Sequence, residues 1–482
     1  MNKEIGITSS QKDDFSGWYV QSVLKGGLAD YAPMKGFIIM RPYGYQIWEN
    51  IKGILDEKLR ELGHLNAFLP ILIPESLLSR EQDHFAGFNP EVFWVTKAGD
   101  NTLGEKLALR PTSESLAYSI FAKWISSHRD LPLKLNFWNS ALRAEIKSTK
   151  PFIRNSEFLW QEGHTVHATE DEADKEVRLI LDTYKDLIEN YLGIPTEAGY
   201  KSDKEKFVGA KYTISLESIM LDGKCLQMAT SHQLGQNFAR TFDIKYLGRD
   251  AQDHFVWQSS WGISWRLIGA IIMTHGDDRG IIIPPRVAPI QVVIVPIYKE
   301  ISKEKVLSVG NTLLKLLIES GIRAHLDRRD EYTAGWKFND WETKGVPLRI
   351  NLGPRDIENG QLEMVRRDTL EKTTMQYSEA TDRIDEMLDN IQRRLFNQAK
   401  LRMNEKTSTA FTLHAANDIL ERRGGFVSTF WCGKVECEET LKEETSADIR
   451  LIPFEGQDSI TDKICINCNS KAKSRIIMGR AY

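Results

Sequence analysis

The sequence predicts an α+β protein of three domains, and three observations support this. The chain has 482 residues, more than one hydrophobic core usually serves, because domains of roughly 100–200 residues are the norm. After the prolines at 284 and 285 the pattern changes to apolar strands that alternate with helices. Four of the five cysteines lie near the end of the chain. We therefore expect domains over residues 1–285, 286–398 and 399–482.

The composition is ordinary for a soluble globular protein, with 41% apolar and 27% charged residues. The first twenty residues are polar and lack the apolar core of a signal peptide. No stretch approaches the roughly 18 apolar residues of a membrane span. We expect a cytoplasmic protein without a membrane segment. The net charge of −4 argues against coating of nucleic acid by bulk attraction, but it allows a local RNA site.

The first domain has helical and strand patterns in irregular order. Apolar residues at helical spacing predict a helix over 45–62, and the apolar run 66–74 predicts a short strand that ends in proline. A helix over 113–127 and a long, charged, amphipathic helix over 170–192 follow.

The second domain is predicted to be α/β, because apolar strands alternate with helices in this part of the chain. A helix here contains Leu313 and Leu317 and is ended by Gly321. The other predicted elements are strands at 291–297, 322–327, 348–353 and 362–366 and a helix at 378–397.

A threonine and a glutamate two positions apart form the first candidate site. Thr112 and Glu114 would point to the same side of an extended chain. They offer a hydrogen-bond acceptor and a negative charge, which suit a ligand ammonium or iminium group. The alternative is a helix N-cap, because Thr or Ser followed by Glu often opens a helix. The two roles are compatible.

Charged and aromatic residues form a second candidate site over 143–164. Arg143 and Glu145 would lie on one strand face, and Arg143 can hold an anion bidentately. Arg154 would be a second phosphate ligand, and Phe158 could stack on a purine. The alternative is a solvated β-hairpin with cross-strand ion pairs. The run of Trp, Gln, Glu and His at 160–164 favours a pocket.

Two further groups of residues are candidates for ligand binding. Gln227, Thr230 and His232 supply neutral hydrogen-bonding groups, although a lone histidine is more often structural. Arg266 opens an apolar, small-residue helix, where its burial is costly unless an anion meets it. A triphosphate would meet it, and a nearby carboxylate is the alternative partner.

Two close cysteine pairs predict a metal site in the third domain. Cys432 and Cys437 form one pair, and Cys465 and Cys468 form the other. Four thiolates suit tetrahedral zinc, and a segment of this size gains stability from a metal. The alternative is four free or redox-active cysteines. Cys225 stands alone and is interpreted as a packing residue.

The order of these features resembles the three signature motifs of the class II aminoacyl-tRNA synthetases. A helix and a strand ending in Pro70 come first, Arg143 and Glu145 follow, and a helix headed by Arg266 is third. The resemblance implies a catalytic domain on an antiparallel sheet with flanking helices, followed by an α/β anticodon-binding domain and a small zinc-bearing C-terminal domain. It also implies a homodimer through the first motif.

Within that class, the runs at 110–114, 158–164, 230–238 and 275–278 resemble the prolyl-tRNA synthetases of the archaeal and eukaryotic-like type. Only residues 165–226 separate His164 from Gln227, which leaves no room for an editing insertion. The final residue, Tyr482, is typical of this type. Trp265 stands where the family often has threonine. The resemblance implies activation of L-proline with ATP and Mg²⁺, and transfer to the 3′ end of tRNA(Pro).

The resemblance also implies roles for individual residues. Arg143 and Arg266 would be catalytic, since they would stabilise phosphate charge. The implied proline-binding residues are Thr112, Glu114, Arg143, Trp160, Glu162, His164 and His232. The implied ATP-binding residues are Arg143, Glu145, Arg154, Asn155, Phe158, Gln227, Thr230, Ser264 and Arg266. The zinc would be structural and held by Cys432, Cys437, Cys465 and Cys468.

The middle domain would read the anticodon through individual residues, because it has no simple basic patch. The candidates are Arg328, Glu342, Lys344 and Arg349. Two rival functions remain open. One is a sibling class II synthetase for another small amino acid, and the other is an inactive paralogue that binds RNA. The retained arginines argue against the second.

Overall fold

The computed structural model describes residues 6–84, 91–144 and 148–482. Within those ranges, no helix is both long and apolar enough to span a bilayer.

The first part of the chain forms a large sheet flanked by helices. Its helices are α1 (Phe15–Lys25), α2 (Pro42–Glu61), α3 (Glu75–His84), α4 (Glu114–Trp124), α5 (Glu170–Asp186), α6 (Asn237–Phe242) and α7 (Arg266–His275). Its strands are β1 (Ala29–Tyr31), β2 (Ile38–Met40), β3 (Leu65–Asn66), β4 (Leu72–Pro74), β5 (Trp94–Ala98), β6 (Asn101–Leu109), β7 (Leu133–Leu142), β8 (Glu157–His167), β9 (Glu197–Tyr200), β10 (Tyr212–Ile219), β11 (Cys225–Gly235), β12 (Lys245–Leu247), β13 (Asp253–Phe255) and β14 (Trp257–Ser264).

The central strands run antiparallel in the order β9-β10-β11-β14-β8-β7. β3 adds to the β7 edge in parallel. α5 and α7 cover one side of this sheet, and their apolar faces join its largest core, which includes Trp261, Tyr184 and Ile268. The predicted antiparallel sheet with flanking helices is therefore confirmed.

Three local predictions for this part of the chain need correction. The run 66–74 is two strands in different sheets, because the chain turns away from β7 before Pro70 and β4 pairs with β6 instead. The helix over 170–192 ends as an α-helix at Asp186 and continues as one π-helical turn to Tyr191. Glu114 is not in an extended chain, since it is the first residue of α4.

The middle of the chain is α/β, as predicted. Its elements are β15 (Val292–Pro296), α8 (Lys303–Glu319), β16 (Ala324–Leu326), α9 (Ala334–Thr343), β17 (Leu348–Leu352), α10 (Pro354–Glu358), β18 (Gln361–Arg366), β19 (Lys372–Gln376) and α11 (Ala380–Glu405). The sheet order is β16-β15-β17-β18-β19, with β15 parallel to both neighbours and the last three strands antiparallel. α9, α10 and β19 were not predicted.

The last part of the chain extends the central sheet. Its elements are β20 (Thr407–Thr409), α12 (Leu413–Arg422), β21 (Phe426–Trp431), α13 (Val435–Thr445), β22 (Asp448–Pro453) and β23 (Ser474–Gly479). β22 pairs with β9, so the two sheets join into one of eleven strands. The C-terminal region has its own apolar core and shares backbone hydrogen bonds with the first part of the chain.

Candidate active site

A cavity of about 470 Å³ lies on the exposed face of the central sheet, between the two loops that follow β7 and β9 and the start of α7. β8, β14 and β11 supply its floor. Paired residues in neighbouring antiparallel strands point to the same face of the sheet, so their side chains form rows across the floor of the cavity. His164, Ser260 and His232 form one row across the three strands. Alternation along each strand therefore gathers residues that are distant in the chain.

A second row across these strands contains Glu162, Gly262 and Thr230. Gly262 adds no side chain, so the space between Glu162 and Thr230 stays open. Gly163 points to the other face, where a Cβ would lie about 2 Å from the ring of Trp261. A glycine at this position lets the Trp261 ring pack flat beneath the site.

The predicted site residues meet at this cavity. Those that line it are Thr112, Glu114, Arg143, Arg154, Asn155, Phe158, Trp160, Glu162, His164, Gln227, Thr230, His232, Ser264 and Arg266. Glu145 lies outside the described residues. Trp265 also lines the cavity, and its ring packs edge-on against Phe152.

The acidic end of the cavity is a buried hydrogen-bonded cluster around Glu162. This carboxylate accepts from Ser113, from Asn139 at 2.9 Å and from His164 at 3.3 Å. Glu114 accepts from the hydroxyl of Thr112. Ser113 precedes α4 but makes no capping bond there. The hydroxyl of Ser113 donates to Glu162 instead of capping the helix, so the predicted side-chain N-cap is not formed.

The buried charges of this cluster shift the pKa values of Glu114, Glu162 and His164. Burial raises the pKa of Glu114, against the lowering effect of His164. Burial also acts to raise the pKa of Glu162. Hydrogen bonds from His164, Ser113 and Asn139 outweigh this effect, so the pKa of Glu162 is lowered. Burial acts to lower the pKa of His164, yet Glu162 and Glu114 raise it. Glu162 and His164 thus form an ion pair, and Glu114 holds a proton more readily than an exposed glutamate.

His232 at the same end is neutral. Burial lowers its pKa to about 3, and the charge of His164 adds to this. Its Nδ1 lies 2.9 Å from the hydroxyl of Thr213, and its ring lies beside that of Phe207, with centroids 4.8 Å apart. A neutral imidazole can offer one donor and one acceptor to a ligand.

The opposite end of the cavity is basic. The guanidinium of Arg143 lies 5.3 Å from the ring centroid of Phe158. Arg266 is half-buried at the first position of α7, and its buried Nε has no hydrogen-bond partner among the described residues. Burial, with the charge of Arg143, lowers the pKa of Arg266 to about 10. Among the described residues no carboxylate forms an ion pair with Arg266, so the alternative partner suggested by the sequence is not found there.

Asn155 is a further polar residue at the basic end of the cavity. Neither its amide nitrogen nor its carbonyl oxygen has a partner among the described residues, although both atoms are buried. A buried amide without partners costs free energy, which a polar ligand would recover. The basic end thus has unused donors for an anion, and the acidic end has a carboxylate for a cation.

Sequence reasoning missed several lining residues. Lys201, Glu205 and Phe207 come from the loop after β9. Asn139 donates to Glu162 and accepts from the indole of Trp160. No motif marks these positions, and only the folded arrangement of β7 and of the loop after β9 brings them to the site.

The four clustered cysteines also meet. The Sγ atoms of Cys432, Cys437, Cys465 and Cys468 all lie within 4.8 Å of one another, and Cys432 and Cys468 are 3.7 Å apart. Cys225 is buried elsewhere, next to Gly479. The carboxylates of Glu114 and Glu162 with His164 are similarly close, but hydrogen bonds within that cluster already occupy their ligand atoms.

The anticodon candidates lie at two places in the middle region. Glu342 pairs with Arg349 at 2.8 Å and with Arg279 of the first region at 3.1 Å. Lys344 pairs with Asp340 at 2.9 Å. Arg328 is exposed and donates to Asn311 at 2.5 Å.

Three family models match the chain in succession. Residues 93–275 match the class II tRNA synthetase core domain of the G, H, P, S and T enzymes. Residues 291–387 match an anticodon-binding domain, and residues 413–482 match the C-terminal domain of prolyl-tRNA synthetase.

Close relatives match over the full length. A proline–tRNA ligase of Cenarchaeum symbiosum is 54% identical over 480 residues, which are 99% of this chain and 100% of that protein. Proline–tRNA ligases of Clostridium novyi and Natranaerobius thermophilus are 50% and 49% identical. They cover 100% and 98% of this chain, and 99% and 97% of their own lengths, respectively.

Proposed function

The chain belongs to the prolyl-tRNA synthetases, and on that premise we propose which of its residues perform each part of the reaction. The enzyme is a class II ligase that activates proline with ATP and charges tRNA(Pro). The relatives named above are all proline–tRNA ligases, so neither a sibling specificity nor an inactive paralogue gains support. The observation that carries the assignment of residues is the cavity, with its acidic cluster at one end and its arginines at the other.

Proline would bind at the acidic end. Its charged imino group would lie against Glu114 and the hydroxyl of Thr112, and a cation there favours the ionised form of Glu114. Glu162 and His164 would fix the wall of the pocket, since each is held by buried hydrogen bonds. Trp160 would cover the ring of proline, and neutral His232 would complete the pocket.

ATP would bind at the basic end. Phe158 would stack on adenine, while Arg154 and Arg266 would hold the phosphates. The amide nitrogen and the carbonyl oxygen of the Asn155 side chain, both buried, would bind the nucleotide. Gln227, Thr230 and Ser264 would supply neutral donors and acceptors. Class II synthetases use Mg²⁺ with ATP, and the amide oxygen of Gln227 is a suitable ligand, because Mg²⁺ prefers oxygen. Bound Mg²⁺ supplies positive charge to the phosphates.

Arg143 would join the two substrates. Its Nε donates to the backbone oxygen of Pro111, next to Thr112, at 3.4 Å, and its charge acts on Arg266. It would therefore contact both the proline carboxylate and the α-phosphate. The carboxylate attacks the α-phosphate in line, which gives prolyl-adenylate and pyrophosphate. The 3′-terminal ribose hydroxyl of the tRNA then attacks the adenylate carbonyl and releases AMP. Positioning and phosphate charge stabilisation supply the catalysis, without a covalent enzyme intermediate.

The cysteine cluster would hold a structural zinc ion. Zinc–sulfur bonds of about 2.3 Å in a tetrahedron place the sulfurs about 3.8 Å apart, and Cys432 and Cys468 are separated by 3.7 Å. Four thiolates fill the coordination sphere, so this site would be structural rather than catalytic.

A homodimer through the first motif is supported by exposed apolar residues in that region. Phe68 is 82% exposed, and Leu65 of edge strand β3 is 67% exposed. Met34 and Ile39 of the β1–β2 hairpin are also exposed. Apolar patches of this kind usually mark interfaces. We propose a cytoplasmic homodimer whose middle domain contacts the anticodon through Arg328, Glu342, Lys344 and Arg349.

Pyrophosphate exchange tests the function. Purified protein is incubated with ATP, labelled pyrophosphate and each of the twenty amino acids in turn. We expect exchange to be fastest with proline, and charging to require tRNA(Pro). Faster exchange with another amino acid would overturn the assignment of the pocket.

A further inference from the structure

The loop after β9 is held in place by the C-terminal region. The hydroxyl of Ser202 donates to Glu438 of α13 at 2.5 Å, and Lys204 pairs with Glu439 at 3.0 Å. β22 also pairs with β9 itself. The same loop supplies Lys201 to the wall of the active-site cavity. The C-terminal region therefore fixes a segment that reaches the substrates.

Lys201 belongs to a buried group of three charges. Its ammonium lies 2.6 Å from Oε1 of Glu217 on β10. Arg450 of β22 binds the same carboxylate, with its Nη2 2.8 and 2.9 Å from the two oxygens and its Nε 3.1 Å from one of them. Lys201 also donates to the backbone oxygen of Arg450 at 2.9 Å. Nη1 of Arg450 also lies 3.9 Å from Asp448, whose charge Lys442 balances at 2.7 Å. The net charge of the buried group of three is therefore +1.

This group lies close to the phosphate-binding end. Lys201 and Arg266 line the same cavity. The charges of Glu217 and Arg450 both act on Arg266, although burial is the largest influence on it. Among the described residues, the Lys201 ammonium donates to Glu217 and to the backbone oxygen of Arg450, which uses two of its three protons. The third is available to a ligand in the cavity.

We propose that Arg450 is a positioning residue for the nucleotide, which holds Glu217 so that the ammonium of Lys201 faces the phosphates of ATP. This rests on the function proposed above. The C-terminal region then contributes to proline activation as well as to stability. Lys201 lines the cavity and Arg450 does not, so the effect of Arg450 is exerted through Glu217 and Lys201. Net positive charge beside a polyphosphate favours its binding.

The competing explanation is that Arg450 only stabilises the fold of the loop after β9. Breaking a buried ion pair destabilises a protein, and a loosened loop would impair both substrates alike. The electrostatic role predicts a different result. Removal of the Arg450 charge makes the group neutral, so ATP binding weakens while the proline end, built from other residues, is unaffected.

The test is a comparison of R450M, R450K and R422M by proline-dependent pyrophosphate exchange. Arg422 is the matched control, because it is an exposed arginine of the same region, paired with Asp418 at 2.7 Å. We expect R450M to raise the KM for ATP about tenfold with the KM for proline unchanged within about twofold. R450K keeps the charge and should show a smaller rise, and R422M should behave as wild type.

A double-mutant cycle with E217Q separates direct from indirect action. If Arg450 acts through Glu217, the effect of R450M on the KM for ATP becomes smaller in the E217Q background. Equal increases in the KM for ATP and proline, or an unchanged KM for ATP, would overturn the proposal. If R450M does not fold, R450Q, which also removes the charge, takes its place, and an ATP KM equal to that of wild type would overturn the proposal. Wild-type protein without proline-dependent exchange would instead overturn the proposed function itself.

Discussion

Nε2 of His164 lies 3.3 Å from Oε2 of Glu162, two residues earlier on the same strand, and both side chains are buried. An ion pair in this setting is stable only when further hydrogen bonds satisfy both groups. Ser113 and Asn139 bind the carboxylate, and the hydroxyl of Tyr118 lies 3.0 Å from Nδ1 of the imidazole. The pair is thus fixed before proline arrives, which is the condition for selecting a small ring by shape.

Replacing Glu162 by glutamine should weaken proline binding. The substitution keeps the shape but removes the charge that holds His164 protonated, so the pocket wall loosens. We expect the KM for proline in pyrophosphate exchange to rise at least about tenfold, the effect of a lost charged hydrogen bond. The KM for ATP should change little. E170Q, which alters a surface glutamate paired with Lys211, serves as the control, and an unchanged proline KM in E162Q would refute the role.

The same substitution should change how stability depends on pH. The pKa of Glu162 is lowered from 4.5, so its contribution is present above pH 4.5 and is lost as the pH falls through the lowered value. The pKa of His164 is raised from 6.5, so its contribution is complete below pH 6.5 and is lost as the pH rises through the raised value. The Tm difference between wild type and E162Q should therefore be largest between pH 4.5 and 6.5. A difference that keeps growing above pH 8 would contradict this.

Replacing Arg143 by alanine should abolish proline activation. Removal of one donor that stabilises transition-state charge costs roughly 10²- to 10³-fold in kcat, and this arginine would contact both reacting groups. Proline-dependent exchange measures the loss, and circular dichroism verifies folding. R422A is the control, since Arg422 is an exposed residue paired with Asp418. Near-normal exchange by folded R143A would refute the catalytic role.

The sequence predicted the arginines better than their surroundings. Arg266 is recognisable because a cation that opens an apolar helix needs an anion, and Arg143 is recognisable by its spacing from Glu145. Lys201 and Arg450 carry no such mark. They meet Glu217 across separations of 16 and 233 residues, and only the pairing of β22 with β9 brings Arg450 to the catalytic sheet.

Local geometry explains the other differences from the sequence predictions. Thr112 and Glu114 were placed on one side of an extended chain, but α4 begins at Glu114. The two side chains still meet, because the threonine hydroxyl donates to the glutamate across the start of the helix. The two side chains therefore lie together as predicted, but the extended backbone on which that prediction was based is not present. A short-range pattern can identify two polar side chains that meet without determining the backbone between them.

The cysteine cluster should bind one zinc ion per chain. Elemental analysis of protein purified without added metal measures this directly. C465S should lose the metal and lower the Tm, because Cys465 is fully buried between the C-terminal core and the other thiols. C225A should retain zinc, since Cys225 lies outside the cluster. Full zinc content in C465S would rule out the four-thiolate site.

Alanine should be activated in error. The residues proposed for proline distinguish a ring from a smaller side chain mainly by shape, and each missing methylene costs only about 1–3 kcal/mol, or roughly 10- to 200-fold. Between β8 and β11 the chain forms only α5, a π-helical turn, β9 and β10, so no editing domain stands there. We expect alanine-dependent pyrophosphate exchange at millimolar alanine, and alanyl-tRNA(Pro) that accumulates with the purified enzyme. Rapid hydrolysis of added alanyl-tRNA(Pro) by this chain alone would contradict the second expectation. Failure to detect exchange with saturating alanine would show that the pocket excludes small side chains by more than its shape.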